Sequence, residues 1–304
     1  MFHKIVVPVD GSEFGELALP KALGIACQSG GEVRIVTVIT PVASAFGSDE
    51  DQMLEEERLK VSRIQARDYM EDLQKRVILS GCDVPISCHV EDGSVVEALD
   101  AHVRAFDADL LVMTTHGWGP LRRAWLGSVA DGLIRRTPCP VLAIRPREGE
   151  KPSLEKERFT HLLVTLDGGH QSLEILPYVR AMARSFESRI TLFRAIPPHY
   201  PLTSPYTSHT TPVFQGLESE EKVAREALET EADGLRREGF FVNVAVRSGA
   251  HPAEGIVEYA EASGVDLIAM ATHGRGGVSR LILGSVADKV LRGTNLPVLV
   301  HRAP

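Results

Sequence analysis

The chain has 304 residues, enough for about two domains at ~150 residues each. At 43% hydrophobic and 24% charged, it has the make-up of an ordinary globular protein. A net charge of −8 argues against non-specific nucleic-acid binding, and no apolar run approaches the ~20 residues that span a membrane.

The N-terminus, MFHKIVVPVD, runs straight into an apolar strand with no apolar signal core and no small-residue cleavage site, which predicts the cytoplasm. The first strand, Lys4 to Val9, ends at Asp10-Gly11-Ser12. A helix is expected from Ser12 to Ser29, stopped by Gly30-Gly31. The second strand runs from Val33 to Ile39, and a loop from Val42 to Gly47 leads to a long charged helix over Asp49 to Leu79. A third strand near Pro85 to Val90 precedes Glu91-Asp92-Gly93-Ser94, which caps a helix from Val95 to Phe106. Leu110-Leu111-Val112-Met113 is a short apolar run of the kind buried on both faces of a sheet. The turn Thr115-His116-Gly117 follows, and Gly127-Ser128 opens a further helix, with Ser128 expected to cap it. Pro138-Cys139-Pro140 leads into the last strand, Val141 to Ile144.

The plan then repeats. Asp10 and Asp167, Gly117 and Gly274, Gly127 and Gly284, and Pro140 and Pro297 all stand 157 positions apart. That period is too long for a solenoid unit and marks a domain duplication. The expected boundaries are a first domain over 1–147, a charged, apolar-poor linker over 148–157, and a second domain over 158–304. The second copy has strands at His161 to Leu166, Ile190 to Ile196 and Phe241 to Val246, with a helix from Glu218 to Glu238. Pro197 to Gly216, carrying His199 and His209, reads as a surface loop. Strands alternating with helices imply a parallel sheet covered on both faces, and right-handed crossovers make each copy a doubly wound α/β domain of five strands. Ligands of such folds sit at the carboxyl ends of the strands, near the switch in strand order. Asp10, Val38 and Gly117 are expected to converge there.

A strand, a glycine turn and a helix start make a phosphate cradle, because the helix N-terminus offers unpaired N–H groups and glycine lets backbone approach a ligand. Each part also has a plainer reading. Asp10 and Asp167 fit helix caps after a strand, and His116 and His273 fit turn histidines bonded to backbone. Arg123 and Arg280 recur at the same offset and point either to a phosphate or to solvent. Cys27, Cys82, Cys88 and Cys139 contain no Cys-x-x-Cys and fit a reduced chain. Cys88-His89 reads as structural, since neighbours on a strand face opposite ways, and no metal set is assigned. The Gly-x-x-x-x-Gly-Lys-Ser/Thr motif is absent, Gly-x-Ser-x-Gly is absent around Ser128 and Ser285, and Gly274-x-Gly276 follows the wrong strand for a dinucleotide fingerprint.

Taken together, Val7-Pro8-Val9-Asp10-Gly11-Ser12, Thr115-His116-Gly117 with nine residues before Gly127-Ser128, and Pro138-Cys139-Pro140-Val141-Leu142 resemble the universal stress protein family. Leu166-Asp167-Gly168, Thr272-His273-Gly274-Arg275-Gly276-Gly277, Gly284-Ser285 and Leu296-Pro297-Val298-Leu299-Val300 carry the same resemblance in the second half. The resemblance spans nearly the whole chain and implies ATP, with or without Mg2+, as the ligand. It places Asp10 and Asp167 at the ribose and Val38 and Ala195 at the adenine. Gly117, Gly127 and Ser128, with Gly274, Gly284 and Ser285, would hold the phosphates, and Val129 and Val286 would complete the nucleotide-binding set. The family's first turn glycine is replaced by Thr114 and Ala271, residues that would lie near the ribose, and the larger Thr114 would crowd it. The resemblance also implies that the two halves pair as a pseudo-dimer through their last strands, with a homodimer as a further level. Three functions stay open at this stage: an ATP-binding regulator with little or no turnover, a weak ATPase or nucleotidyl transferase, and an interaction module with empty sites.

Overall fold

A computed structural model describes residues 1–41, 49–115, 126–147, 149–198, 213–272 and 283–303. They form two compact units, Met1–Arg158 and Phe159–Pro304.

The first unit contains β1 (Lys4–Pro8), α1 (Glu13–Glu16), α2 (Leu19–Ser29), β2 (Glu32–Ile39), α3 (Asp49–Leu79), β3 (Ile86–Asp92), α4 (Val95–Phe106), β4 (Leu110–Thr114), α5 (Ser128–Arg136) and β5 (Val141–Ile144). Its strands lie in the order β3-β2-β1-β4-β5, and every pair is parallel. Ile5, Val6, Val7, Leu110, Leu111, Val112 and Leu142 are wholly enclosed, as the apolar runs require of central strands sandwiched between helices. Burying each such side chain contributes about 1.5–3 kcal/mol. On one face α4 packs on α5. On the other, α1 and α3 are joined by Glu16, which accepts from Tyr69 Oη (3.0 Å) and from Arg76 Nη1 and Nη2 (2.9 and 2.8 Å).

The second unit repeats this with β6 (His161–Thr165), α6 (Leu176–Phe186), β7 (Arg189–Ile196), α7 (Val213–Arg237), β8 (Val242–Ser248), α8 (Pro252–Ala262), β9 (Leu267–Thr272), α9 (Ser285–Gly293) and β10 (Val298–Arg302). The order is β8-β7-β6-β9-β10, again with parallel pairs. Both units are therefore doubly wound α/β domains built on a five-stranded parallel sheet.

The helix expected over Ser12 to Ser29 is broken. α1 stops at Glu16 and α2 starts at Leu19. Pro20 has no N–H to give the Glu16 carbonyl, and its ring would strike that carbonyl in a continuous helix. Pro177 stands at the same place in the second copy, where a 3-10 turn (His170–Ile175) precedes α6. Both second helices end on a left-handed residue, Gly30 (φ 66°) and Glu187 (φ 55°). Glycine adopts that conformation without penalty and glutamate does not.

Residues 156 and 157, at the end of the stretch read as a linker, lie against α2. Glu157 N donates to Pro20 O (3.2 Å), and the buried Lys21 ammonium pairs with the Glu157 carboxylate at 2.9 Å. A Cβ added at Gly24 would fall 2.1 Å from the Glu157 carbonyl oxygen. Only glycine lets the backbones come this close.

Candidate functional site

The strand register brings the distant sequence motifs together. β1 pairs with β4 at Ile5↔Leu110 and Val6↔Leu111, and with β2 as far as Pro8↔Val36. Extending those registers by a few residues sets Asp10 between Val38 on one side and Thr115 on the other. The second unit behaves alike. Thr165↔Phe193 and Thr165↔Met270 extend to place Asp167 between Ala195 and Thr272. In each unit this is the carboxyl end of the sheet, where the strand order reverses between the first and fourth strands, the usual crevice of a doubly wound fold.

Asp10 is exposed and its carboxylate is fixed. Oδ1 accepts from Ser12 N at 3.0 Å and from the Ser12 hydroxyl. Ser12 is 2% exposed and caps α1 by accepting from Gly15 N at 3.0 Å. Asp10 is thus not the cap itself; it orients the serine that is. Behind the loop sits Glu16, 5% exposed and bound to Arg76 and Tyr69. Burial and the Glu16 charge raise the Tyr69 pKa, so the phenol stays protonated and donates, and hydrogen bonding to Glu16 raises that of Arg76. Asp167 is likewise exposed, and its Oδ1 accepts from Gly169 N at 2.8 Å.

The helix starts complete the geometry. Gly127 N donates to Thr115 O at 2.9 Å, which ties the start of α5 to the end of β4. A Cβ at Gly127 would meet that same oxygen at 2.7 Å, so the glycine is needed for the strand-to-helix approach. Gly127 and Gly284 are the N-caps of α5 and α9; Ser128 and Ser285 are the first helical residues, and neither helix start has a side-chain cap bond. This corrects the expectation that Ser128 caps: the glycine already occupies the capping position. The first backbone bonds inside each helix are Asp131 N to Gly127 O and Asp288 N to Gly284 O. The amides of Ser128 and Val129, and of Ser285 and Val286, are therefore among the orphan donors of a helix start. Ser128 and Ser285 are exposed, Val129 and Val286 half-buried. Asp131 and Asp288 sit in the first turns and pair with Arg135 and Arg292 at 2.7 and 2.8 Å.

Thr114 is 9% exposed, packed at the end of β4 opposite Ile144. Ala271, its counterpart, is half-buried. Val38 is half-buried on β2, and Ala195 faces α8, since a Cβ at Gly255 would lie 3.6 Å from its own. Gly117 and Gly274, with His116, His273, Arg123, Arg275, Gly276 and Arg280, lie outside the described residues, as do His199 and His209.

One charged residue near Asp167 was not singled out by the sequence. The Arg194 guanidinium lies over Gly168, beside Asp167: a Cβ there would be 2.5 Å from Nη1 and 2.8 Å from Cζ. The signal was the 157-residue offset, which sets Arg194 against Thr37. Among the described residues no group of three or more His, Cys, Asp or Glu is placed to hold a metal, and no helix is long and apolar enough to cross a membrane. Cys88 and His89 stay apart in role. Burial pushes the Cys88 thiol up to about 11, while His89 stacks edge-on to His102 at 5.1 Å.

The model of the universal stress protein family matches residues 1–145 and again 158–302. Along its whole length the chain is similar to a universal stress protein of Synechocystis sp., at 24% identity over 98% of this chain and 99% of that one. It is similar to one of Mycobacterium tuberculosis at 27% identity over 99% and 95%. A crystal structure of a universal stress protein from Archaeoglobus fulgidus shares the fold, with a TM-score of 0.64 at 19% identity, covering 98% of this chain and 96% of that one. With one family match on each copy of the crevice, the chain belongs to the universal stress protein family as a tandem two-domain member, with a role in stress response.

Proposed function

We propose that each half holds an adenine nucleotide, ATP, at the carboxyl end of its sheet, and that the protein senses or reports the nucleotide in the cytoplasm with little or no turnover. What supports this is an exposed carboxylate held by a backbone N–H at the carboxyl end of the sheet in each unit, together with a helix start that has no side-chain cap and that in the first unit is tied to the neighbouring strand end. A carboxylate at that place accepts hydrogen bonds from ribose hydroxyls, and orphan N–H groups at the helix start suit phosphate oxygens. Asp10 and Asp167 are already held by backbone N–H groups, which suits a fixed acceptor better than a mobile base. Val38 and Ala195 flank the carboxylates as apolar neighbours for a base. Mg2+ would supply charge neutralisation at the phosphates, and among the described residues no acidic cluster is placed to hold it.

The test is to denature the purified full chain and identify released small molecules by mass spectrometry, then to titrate ATP into the emptied protein. Adenine nucleotide at up to two per chain is expected. Absence of both co-purified and titrated nucleotide would overturn the reading. Phosphate release that depends on Asp10 and Asp167 would replace the sensing role with an enzymatic one.

A further inference from the structure

We propose that Arg194 strengthens the ligand charge preference of the second site, favouring multiply charged phosphates over neutral nucleosides by an increment that the first site lacks. The inference rests on the nucleotide reading above and extends it to specificity.

The argument begins with two glycines that are equivalent in sequence and unequal in surroundings. Gly11 and Gly168 each follow the site aspartate, and both have left-handed φ values of +77° and +88°. Nothing lies within 4 Å of a Cβ built on Gly11. A Cβ on Gly168 would run into three atoms of one guanidinium, Nη1, Cζ and Nη2, at 2.5, 2.8 and 2.9 Å. The Arg194 guanidinium therefore lies against the glycine next to Asp167, whereas its counterpart Thr37 is a short buried residue. Arg194 sits next to Ala195, which the register places beside Asp167. It is half-buried, and among the described residues it forms no ion pair. A guanidinium keeps its charge at all physiological pH and offers five N–H donors in a planar fork that matches phosphate oxygens. Its half-burial keeps it partly clear of solvent screening, so a phosphate bond is worth more here than on an open surface.

A purely structural role, propping the Gly168 loop, makes a different prediction. It would support every ligand of the site equally, charged or not. The charge role acts only on ligands that carry phosphate.

Calorimetric titration of the full chain with ATP, adenosine and inorganic triphosphate, at low and high salt, separates these. R194T is expected to weaken one of the two ATP binding events by about tenfold, equivalent to ~1.4 kcal/mol, and to leave adenosine binding unchanged. The loss should shrink at high salt, and R194K should recover part of it. The reciprocal T37R should raise the ATP-to-adenosine preference of the other event. An equal weakening of ATP and adenosine by R194T would overturn the proposal in favour of a loop prop. Unchanged ATP binding in R194T would overturn it while leaving the nucleotide reading intact. A wild-type chain that binds neither ATP nor adenosine would overturn both.

Discussion

The loops after β1 and β6 present the same carboxylate from the same place on the same sheet, yet they are supported differently. In the first, Asp10 is gripped by the amide and hydroxyl of Ser12, Ser12 caps a short helix, and Glu16 anchors that helix to α3 through Arg76 and Tyr69. In the second, Gly169 stands where Ser12 does and Leu173 where Glu16 does, so Asp167 has an amide below it, and Arg194 lies over the adjoining glycine. A side-chain network holds one loop in shape; backbone and a nearby cation attend the other. The duplication has kept the position of the acceptor and let its supports diverge, which is where the two copies are free to differ in ligand and affinity.

The strongest way to break the comparison is at the helix starts. Gly284→Val should abolish nucleotide binding in the second half and leave the first unchanged, read as stoichiometry falling by one in calorimetry. Gly127→Val should remove the first site and also destabilise its domain, because the new Cβ is driven into Thr115 O. Overpacking of this kind costs about 1–3 kcal/mol, visible in a chemical melt. Unaltered stability in that variant would show that the strand–helix approach relaxes at no cost.

Next in size is the brace behind Asp10. Glu16→Ala leaves Tyr69 without its acceptor and Arg76 with Asp72 alone. Breaking a fully buried pair costs ~3–5 kcal/mol, but Arg76 is 39% exposed, so the expected loss is about 2 kcal/mol after solvent screening. Leu173→Ala in the other copy creates a small void instead, and should not weaken the Asp167 loop specifically. Hydrogen exchange at the Asp10–Ser12 amides checks this: faster exchange is expected in the first variant and no matching change in the second.

The third test concerns unequal affinity. Thr114 is the bulkier replacement, and its side chain is packed rather than free to move aside. A side chain forced against a ligand costs ~1–3 kcal/mol by analogy with overpacked cores, roughly five- to a hundredfold in affinity. The second half is therefore expected to bind ATP more tightly, and Thr114→Ala to narrow the gap. Equal affinities in the wild-type chain, or no gain from Thr114→Ala, would show that the threonine is accommodated.

The smallest effect is acid sensitivity. Burial lowers the pKa of His161 and His301 in the second unit and of His89 in the first, where His102 and Arg34 add to it. His161 donates from Nδ1 to the Gly264 carbonyl and accepts at Nε2 from the Thr191 hydroxyl, a neutral tautomer. A neutral native histidine binds its proton more weakly than the unfolded one. Its contribution is therefore complete above the ordinary value of about 6.5 and declines as pH falls from there toward the lowered native value. The melting temperature should drop between pH 6.5 and 5, and His161→Gln should flatten that slope. A slope unchanged by that substitution would assign the acid sensitivity to other groups.

Much of this was legible because the period-two and apolar-run signals of buried strands are strong. The bounds of α3, α4 and β5 follow directly from where the charged, amphipathic and β-branched stretches begin and end. The break at Pro20 was missed because apolar spacing continues through Leu17, Leu19 and Leu23 and outvotes one proline. The strand-end placement of Asp10 and Asp167 was legible from their recurrence. The close approach of Gly127 to the Thr115 carbonyl was not, since a glycine needed for packing and one needed by a ligand look alike in a sequence. Arg194 was silent for a related reason: its neighbour Gly168 is remote in the chain, and only the register of β6 on β7 brings them together.

The aspartates in the first turns of α5 and α9 have one more consequence. Asp131 and Asp288 put negative charge where the helix dipole is positive, and Arg135 and Arg292 hold them there. Each helix start is thereby stabilised by the chain's own charges, so its fold does not depend on a bound anion. On the nucleotide reading proposed above, loading and release then proceed without unfolding of α5 or α9.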